Sequence, residues 1–494
     1  MPLWILFVAI LFPVFGGVGI NFFRNKSDSW KNRYVFAITL ITGIMIIFIL
    51  MNTGSFEDST KTLKVLQFTG TLSVAFRIDG FGAVFSCLIA VLWPLAVLYS
   101  FEYMEHEQRK DTFNMFYVVT FGVTLGIAWA ANLFTMYLFF ELLTLVTTPL
   151  VIHELTHEAN RAGRKYLAYC IGGASFGFIA LVFMLVYGNG ADFIYGGCLD
   201  ADSIKGNTDL FNMLLTVYLM GFFGFGVKAA VFPLHSWLPS AYVAPTPVTA
   251  LLHAVAVVKA GAFAVIRLTY YCYGIDFLKG TWAQNVAMAA AIITIVYASS
   301  MAVRQQHIKK RLAYSTVSNL SYILFGVTMM SPLGFMAALT HMVFHAIMKI
   351  CSFFCAGAVM HCSGKSYVSE LEGMGRKMPK TFICFTIASF ALVGTPPLCG
   401  FMSKWNLARA AIDMGGMAYV GLGALFLSAL LVAIYMLSIV VRAFFPREGA
   451  IQYESKDPGV CMLLPLYVFV IMIVGFGVYS SPLMCFFEQV TGIR

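Results

Sequence analysis

The sequence predicts an all-α, polytopic membrane protein of about 14 transmembrane helices, with two inverted five-helix repeats and with helices 7 and 12 broken. Composition is the first ground: 60% of residues are hydrophobic and only 11% are charged, where soluble domains carry about 25% charged residues. Apolar runs of about 20 residues, long enough to span a bilayer core, recur from one end of the chain to the other. Two of those runs are interrupted by proline, and each interruption lies close to a lysine.

In order, the candidate helices cover roughly 3–22, 33–52, 79–101, 113–130, 133–153, 165–187, 209–233, 246–271, 283–303, 311–330, 333–360, 381–412, 418–441 and 460–482. The opening MPLWILFVAILFPVF lacks the basic start of a cleaved signal peptide and is read as the first span. Loops after odd-numbered helices hold most of the loop Lys and Arg; the opposite side holds only Lys61, Lys64, Arg77, Lys205, Lys279 and Arg494. That bias puts both termini on the non-cytoplasmic side. The net charge of +9 is therefore a topology signal scattered over short loops, and no nucleic-acid partner is expected. The 11 cysteines sit mostly in apolar runs without a CxxC pair and read as small core hydrophobes.

Six basic residues fall inside spans: Lys228, Lys259, Arg267, Lys349, Lys404 and Arg409. Arg267 and Arg409 come late enough in their helices to reach an interface by snorkelling. A lysine at mid-membrane depth costs about 2.5–3.5 kcal/mol, so the other four need a functional account, and they read as proton carriers. Glu141, deep in LFTMYLFFELLTLVTTPLV, needs a cation, and Lys228 is its expected partner. Asp79, beside Gly80 and Gly82, reads as a helix cap.

Helix 7 runs into Pro233 and a bend carrying His235, Pro239, Pro245 and Pro247; helix 8 then carries His253 and Lys259. His235 and His253 are candidate gates, with His235 read equally well as a satisfied loop histidine. Helix 11 places His341, His345 and Lys349 at i, i+4 and i+8, a stripe climbing about 12 Å on an otherwise apolar helix. The two histidines have zinc spacing, but without HExxH or a carboxylate or cysteine on that face a proton relay is the stronger reading. The second break, Thr395-Pro396-Pro397, precedes Lys404 and matches the plan of helix 7. Paired breaks of this kind mark inverted repeats. The expected division is 1–112 for helices 1–3, 113–272 for the first repeat (helices 4–8), 283–445 for the second (helices 9–13) and 446–494 for helix 14.

The segments FELLTL, VKAAVFPLHSWLPSAYVAPTPVTALLHAVAVVKAG, KRLAYSTVSNLSY, HMVFHAIMK and GTPPLCGFMSKW resemble the antiporter-like subunits of the complex I superfamily. These include the L, M and N subunits of NADH:quinone oxidoreductase, the D-type member of Mrp cation/proton antiporters and their counterparts in membrane-bound hydrogenases. The resemblance implies a fourteen-helix fold in which Glu141 pairs with Lys228. It implies a proton route past Lys259 and the helix 11 stripe to Lys404, and it favours a D-type or hydrogenase-type subunit.

Three accounts stay open. In the first, the chain is a proton-translocating subunit of a redox-driven membrane complex, of hydrogenase or NADH/ferredoxin dehydrogenase type. In the second it is the D-type member of a multi-subunit Na+/H+ antiporter, and in the third a structural scaffold or quinone-site wall. The chain shows no redox motif, P-loop or dinucleotide fingerprint, so no catalytic residue, cofactor or metal is expected in it. Iron–sulfur clusters, nickel–iron or flavin centres belong to expected partner subunits, a peripheral redox arm among them. The lipid bilayer and H+ complete the expected partners, with Na+ at most indirect because lysine and histidine suit protons better. The expected location is an energy-coupling membrane, the prokaryotic cytoplasmic (inner) membrane.

Overall fold

The computed structural model describes residues 2–23, 25–54, 61–70, 72–190, 192–199, 204, 206–449 and 454–493. Arg24, Lys205 and Arg494, which count among the loop charges, lie outside the described residues. The chain is a multi-pass helical membrane protein: 12 of the described helices are long and apolar enough to cross a bilayer. In chain order the helices are α1 (Trp4–Gly19), α2 (Asp28–Met51), α3 (Gly80–Tyr103), α4 (Lys110–Ala128), α5 (Leu133–Val151), α6 (His157–Tyr187) and α7 (Thr208–Gly226). They continue with α8 (Thr246–Tyr273), α9 (Trp282–Arg304), α10 (Ile308–Thr328), α11 (Pro332–Ser363), α12 (Pro379–Val393), α13 (Cys399–Met414), α14 (Met417–Phe444), α15 (Val460–Val478) and α16 (Ser481–Val490).

Side-chain caps fix several starts: Asn132 accepts from Thr135 N at 2.7 Å, Thr156 from Ala159 N at 3.1 Å and Ser331 from Gly334 N at 3.0 Å. Left-handed Gly364 ends α11 and left-handed Gly394 ends α12. Where one helix is expected over 381–412, two shorter ones stand on either side of the Thr395-Pro396-Pro397 break. Helix 7 likewise stops at Gly226, and the chain passes through turns before a short helix at Trp237–Ser240. A feature missed in the sequence is a hairpin of β1 (Leu63–Gln67) and β2 (Ser73–Phe76), paired antiparallel with Leu63 opposite Phe76.

Two compact units are built from interleaved stretches of chain. The first comprises Met1–Pro94, Arg109–Ala229 and Ala256–Ala287. Its helices approach closely where glycine removes a side chain. A Cβ on Gly224 of α7 would lie 2.6 Å from Gly177 N and 2.7 Å from Gly173 O of α6. β2 continues into a seam: Ala131 N donates to Ala75 O at 2.9 Å, Arg77 N to Trp129 O at 2.8 Å, and Phe193 N to Ala131 O at 2.9 Å.

The second unit comprises Leu95–Gln108, Ala230–Val255 and Met288–Arg494. Its centre is α11, which is buried along its apolar length. Tyr99 stacks on Phe354 with ring centroids 3.8 Å apart and donates its hydroxyl to Phe354 O at 2.8 Å.

Candidate functional site

In the first unit, α5 carries Glu141 and the turn after α7 carries Lys228. The lysine is fully buried. Its ammonium donates to the carbonyl of Phe140 and lies 3.5 Å from the centre of that ring. The structure thus brings Lys228 to the residue beside Glu141, and the described ion pairs include none between the two. Glu141 is half-buried, and its Oε1 is a buried oxygen with no hydrogen-bond partner among the described residues. Lys259 is fully buried on α8, two residues before Gly261. A Cβ on Gly261 would stand 2.5 Å from Ala229 N and 2.8 Å from Lys228 Cβ, so glycine lets α8 pass directly against the break that carries Lys228.

Arg267 corrects an expectation. It does not snorkel; it is fully buried and forms a two-pronged pair with Asp79, one prong at 2.7 Å. The rings of Phe81, Phe193, Phe263 and Tyr271 surround the guanidinium at 4.4–5.1 Å. Asp79 also caps α3, accepting Gly82 N at 2.8 Å, so the capping role holds but is only half of what this residue does. Arg409 is exposed.

In the second unit, Lys404 of α13 turns back onto the break. Its half-buried ammonium donates to the carbonyls of Leu392 and Val393, each at 2.8 Å, oxygens that the end of α12 leaves without helical amides. The fully buried His341, His345 and Lys349 do form one stripe on α11. The two imidazoles stand 5.7 Å apart; His341 Nδ1 pairs with Ser403 Oγ at 3.0 Å, next to Lys404; Lys349 donates to Ser315 Oγ at 2.6 Å. His235 is buried against Phe232 and Tyr297, with the Tyr297 ring centre 4.9 Å away. His253 is fully buried, both its ring nitrogens are without hydrogen-bond partners among the described residues, and it lies in a π-helical stretch, Leu251–Val255. Such π turns recur at functional sites. Pro233, Pro396 and Pro397 all lie in the non-helical segments that set these positions.

Sequence reasoning missed the hydroxyl partners. The Tyr322 ring lies 5.2 Å from His341 and 5.6 Å from the Lys404 ammonium, and Tyr435 donates to the same Ser315 Oγ that receives Lys349, at 2.6 Å. The signal was present in KRLAYSTVSNLSY, where Arg311, Ser315, Ser318 and Tyr322 recur at helical spacing. Two of the supposed loop charges are also buried there. Lys309 donates to Ala244 O at 2.9 Å and Arg311 to Tyr435 O at 2.9 Å.

Interrupted helices with buried lysines and a histidine stripe define an antiporter-like membrane subunit. Residues 130–432 match the family described as NADH:quinone oxidoreductase/Mrp antiporter, TM, and residues 66–117 match the N-terminus of chain 5 of NADH-ubiquinone oxidoreductase (complex I). The chain belongs to this NADH:quinone oxidoreductase/Mrp antiporter family of the complex I superfamily.

It is 28% identical to the Na(+)/H(+) antiporter subunit A1 of Staphylococcus haemolyticus (strain JCSC1435) and 27% identical to that of Staphylococcus aureus. Each alignment covers 97% of this chain, but 61% and 62% of the relatives, so the chain spans about three-fifths of their length. These relatives carry the name of subunit A1, where the sequence motifs favour a D-type or hydrogenase-type subunit. Two solved structures share the fold. One is the membrane-bound sulfane sulfur reductase, an archaeal respiratory membrane complex (TM-score 0.85, 22% identity, covering 99% of this chain and 97% of that one). The other is the Mrp complex from Dietzia sp. DQ12-45-1b (TM-score 0.83, 18% identity, covering 98% and 96%).

Proposed function

We propose that this chain translocates protons, with Glu141, Lys228 and Lys259 acting in the first unit and His341, His345, Lys349 and Lys404 in the second. The observation that carries this reading is the kind of partner the lysines have. The ammonium groups of Lys228, Lys349 and Lys404 donate to neutral oxygens, those of Phe140, of Ser315 and Leu312, and of Leu392 and Val393. An ammonium held by a carboxylate leaves an uncompensated buried charge behind when it loses its proton. One held by carbonyls and hydroxyls leaves none, and the neutral amine still donates to the same oxygens. Arg267, bound to Asp79, is the opposite case.

Two assemblies suit such a subunit. In a redox-driven complex, a peripheral arm holding iron–sulfur, nickel–iron or flavin centres drives the protons; in an Mrp-type antiporter, other membrane subunits couple them to sodium. The curated antiporter relatives support the second, and the likeness to a respiratory membrane complex supports the first. Neither requires a cofactor in this chain. We place it in a prokaryotic cytoplasmic membrane, with the basic loops in the cytoplasm and both termini opposite.

Proton transport by the chain and its co-purified subunits in proteoliposomes tests the reading. Lys228→Ala and Glu141→Gln should abolish it while the protein stays folded, and transport at the unaltered rate in Lys228→Ala would sink the proposal. The identity of the co-purified subunits separates the two assemblies: a hydrogenase or dehydrogenase arm supports the first, small membrane subunits alone the second.

A further inference from the structure

We infer that Cys198 and Cys272 form a disulfide that fastens the connection after α6 to the end of α8, made by exchange with an external disulfide on the face opposite the basic loops. That this face meets an oxidising compartment rests on the placement of the basic loops in the cytoplasm proposed above. The juxtaposition of the two cysteines does not depend on that placement.

Both cysteines belong to the first unit, and both are buried. The backbone brings them together. Residues 194–198 lie along the end of α8, where Gly196 N donates to Tyr270 O at 3.0 Å and Cys198 N to Cys272 O at 2.9 Å. Cys272 stands one residue from the end of the π-helical stretch Arg267–Tyr273, where carbonyls run out of helical amides. The close approach needs glycine on each side. Gly197 and Gly274 have φ 102° and 84°, and a Cβ on Gly197 would stand 2.6 Å from Tyr273 O. Given the 2.9 Å hydrogen bond, standard bond lengths hold the two Cα atoms within about 6.8 Å of each other. Disulfides span about 4.4–6.8 Å between Cα atoms, so the backbone is already within reach. The Cys198 thiol also points toward its partner residue, donating to Cys272 O at 3.4 Å.

The Cys198 thiolate attacks one sulfur of the external disulfide and expels the other as a thiolate. The Cys272 thiolate then attacks Cys198 Sγ in the mixed disulfide, expels the second external thiolate and closes the bond. Two protons leave the cysteines for the expelled thiolates, and two electrons reduce the external disulfide to two thiols. Burial pushes the Cys198 thiol up to about 11, so the attacking thiolate forms more readily in alkali. The fastened connection carries Phe193, whose amide donates to Ala131 O at 2.9 Å and whose ring lies 4.8 Å from the Arg267 guanidinium. A link between residues 74 positions apart also restricts the unfolded chain, which favours the folded one.

The test uses the full chain with its subunits in sealed membrane vesicles, reduced with dithiothreitol, washed, and treated with oxidised glutathione at about pH 8.5. Remaining thiols are blocked with N-ethylmaleimide, and the unreduced digest is read by mass spectrometry. A peptide pair joining Cys198 to Cys272 is expected, lost again on reduction. The linked protein should unfold at least about 5 °C higher than the reduced one, and Cys198→Ser and Cys272→Ser should unfold at one temperature under both treatments. Free thiols at both positions after oxidised glutathione, a link to any other cysteine, or a link that leaves the midpoint unmoved overturns the inference. Vesicle orientation tests the placement separately, because oxidised glutathione does not cross the bilayer. Linking in right-side-out vesicles supports both; linking in inverted vesicles alone supports the disulfide and overturns the placement of the basic loops.

Discussion

The two helix interruptions solve the same problem differently. At the second, Lys404 donates to the carbonyls of Leu392 and Val393, which its own interruption uncovers, and left-handed Gly394 makes room for the side chain. At the first, Lys228 reaches across to the carbonyl and ring of Phe140 on the unbroken α5, next to Glu141. One lysine is set by its local backbone and the other by a neighbouring helix that carries a carboxylate. Only the latter sits where a change in charge on a neighbouring carboxylate reaches it, so the proposed proton transport would be controlled at Lys228 and not at Lys404.

The strongest way to break this comparison is arginine. It keeps the charge and does not give up its proton, so Lys228→Arg and Lys404→Arg should each lower proton transport by about 10²-fold or more without loss of the folded protein. Unchanged flux in either would make that lysine a structural cation. Asp79→Asn probes the contrasting paired cation: stranding Arg267 should cost about 3–5 kcal/mol, read as a large drop in the unfolding midpoint. Gly394→Ala forces a side chain into a left-handed residue with φ 94° and brings its Cβ to 2.9 Å from Lys404 Cδ. It should destabilise by about 1–2 kcal/mol and slow transport, whereas Gly172→Ala, which meets open space, should do neither. The smallest effect belongs to Phe140→Leu, which removes the ring under Lys228 but leaves the carbonyl, for about 1 kcal/mol in thermal unfolding.

Much of this was legible in the residues because hydrocarbon makes charge expensive. Lys228, Lys259, Lys349 and Lys404 stand out in apolar runs for that reason, and proline marks the breaks unaided. What stayed hidden depends on distance through space. Asp79 and Arg267 lie 188 positions apart, and nothing local says that the arginine turns inward. Tyr322, Ser315 and Tyr435 look like ordinary helix residues until α10, α11 and α14 are brought together. The hairpin was missed because two short strands of mixed polarity look like loop beside spans of 24 residues. The start of α10 was misplaced because Lys309 and Arg311 resemble loop charges, although carbonyls receive both.

The seam at Ala75, Trp129, Ala131 and Phe193 constrains how this protein is made. Its three strands of backbone come from the connections after α2, α4 and α6, which leave the ribosome one after another during synthesis. Ala131 can take its place opposite Ala75 as soon as the second connection arrives, but its carbonyl waits for Phe193. A nascent chain halted before the third connection should therefore expose that edge to protease, and one released after it should not.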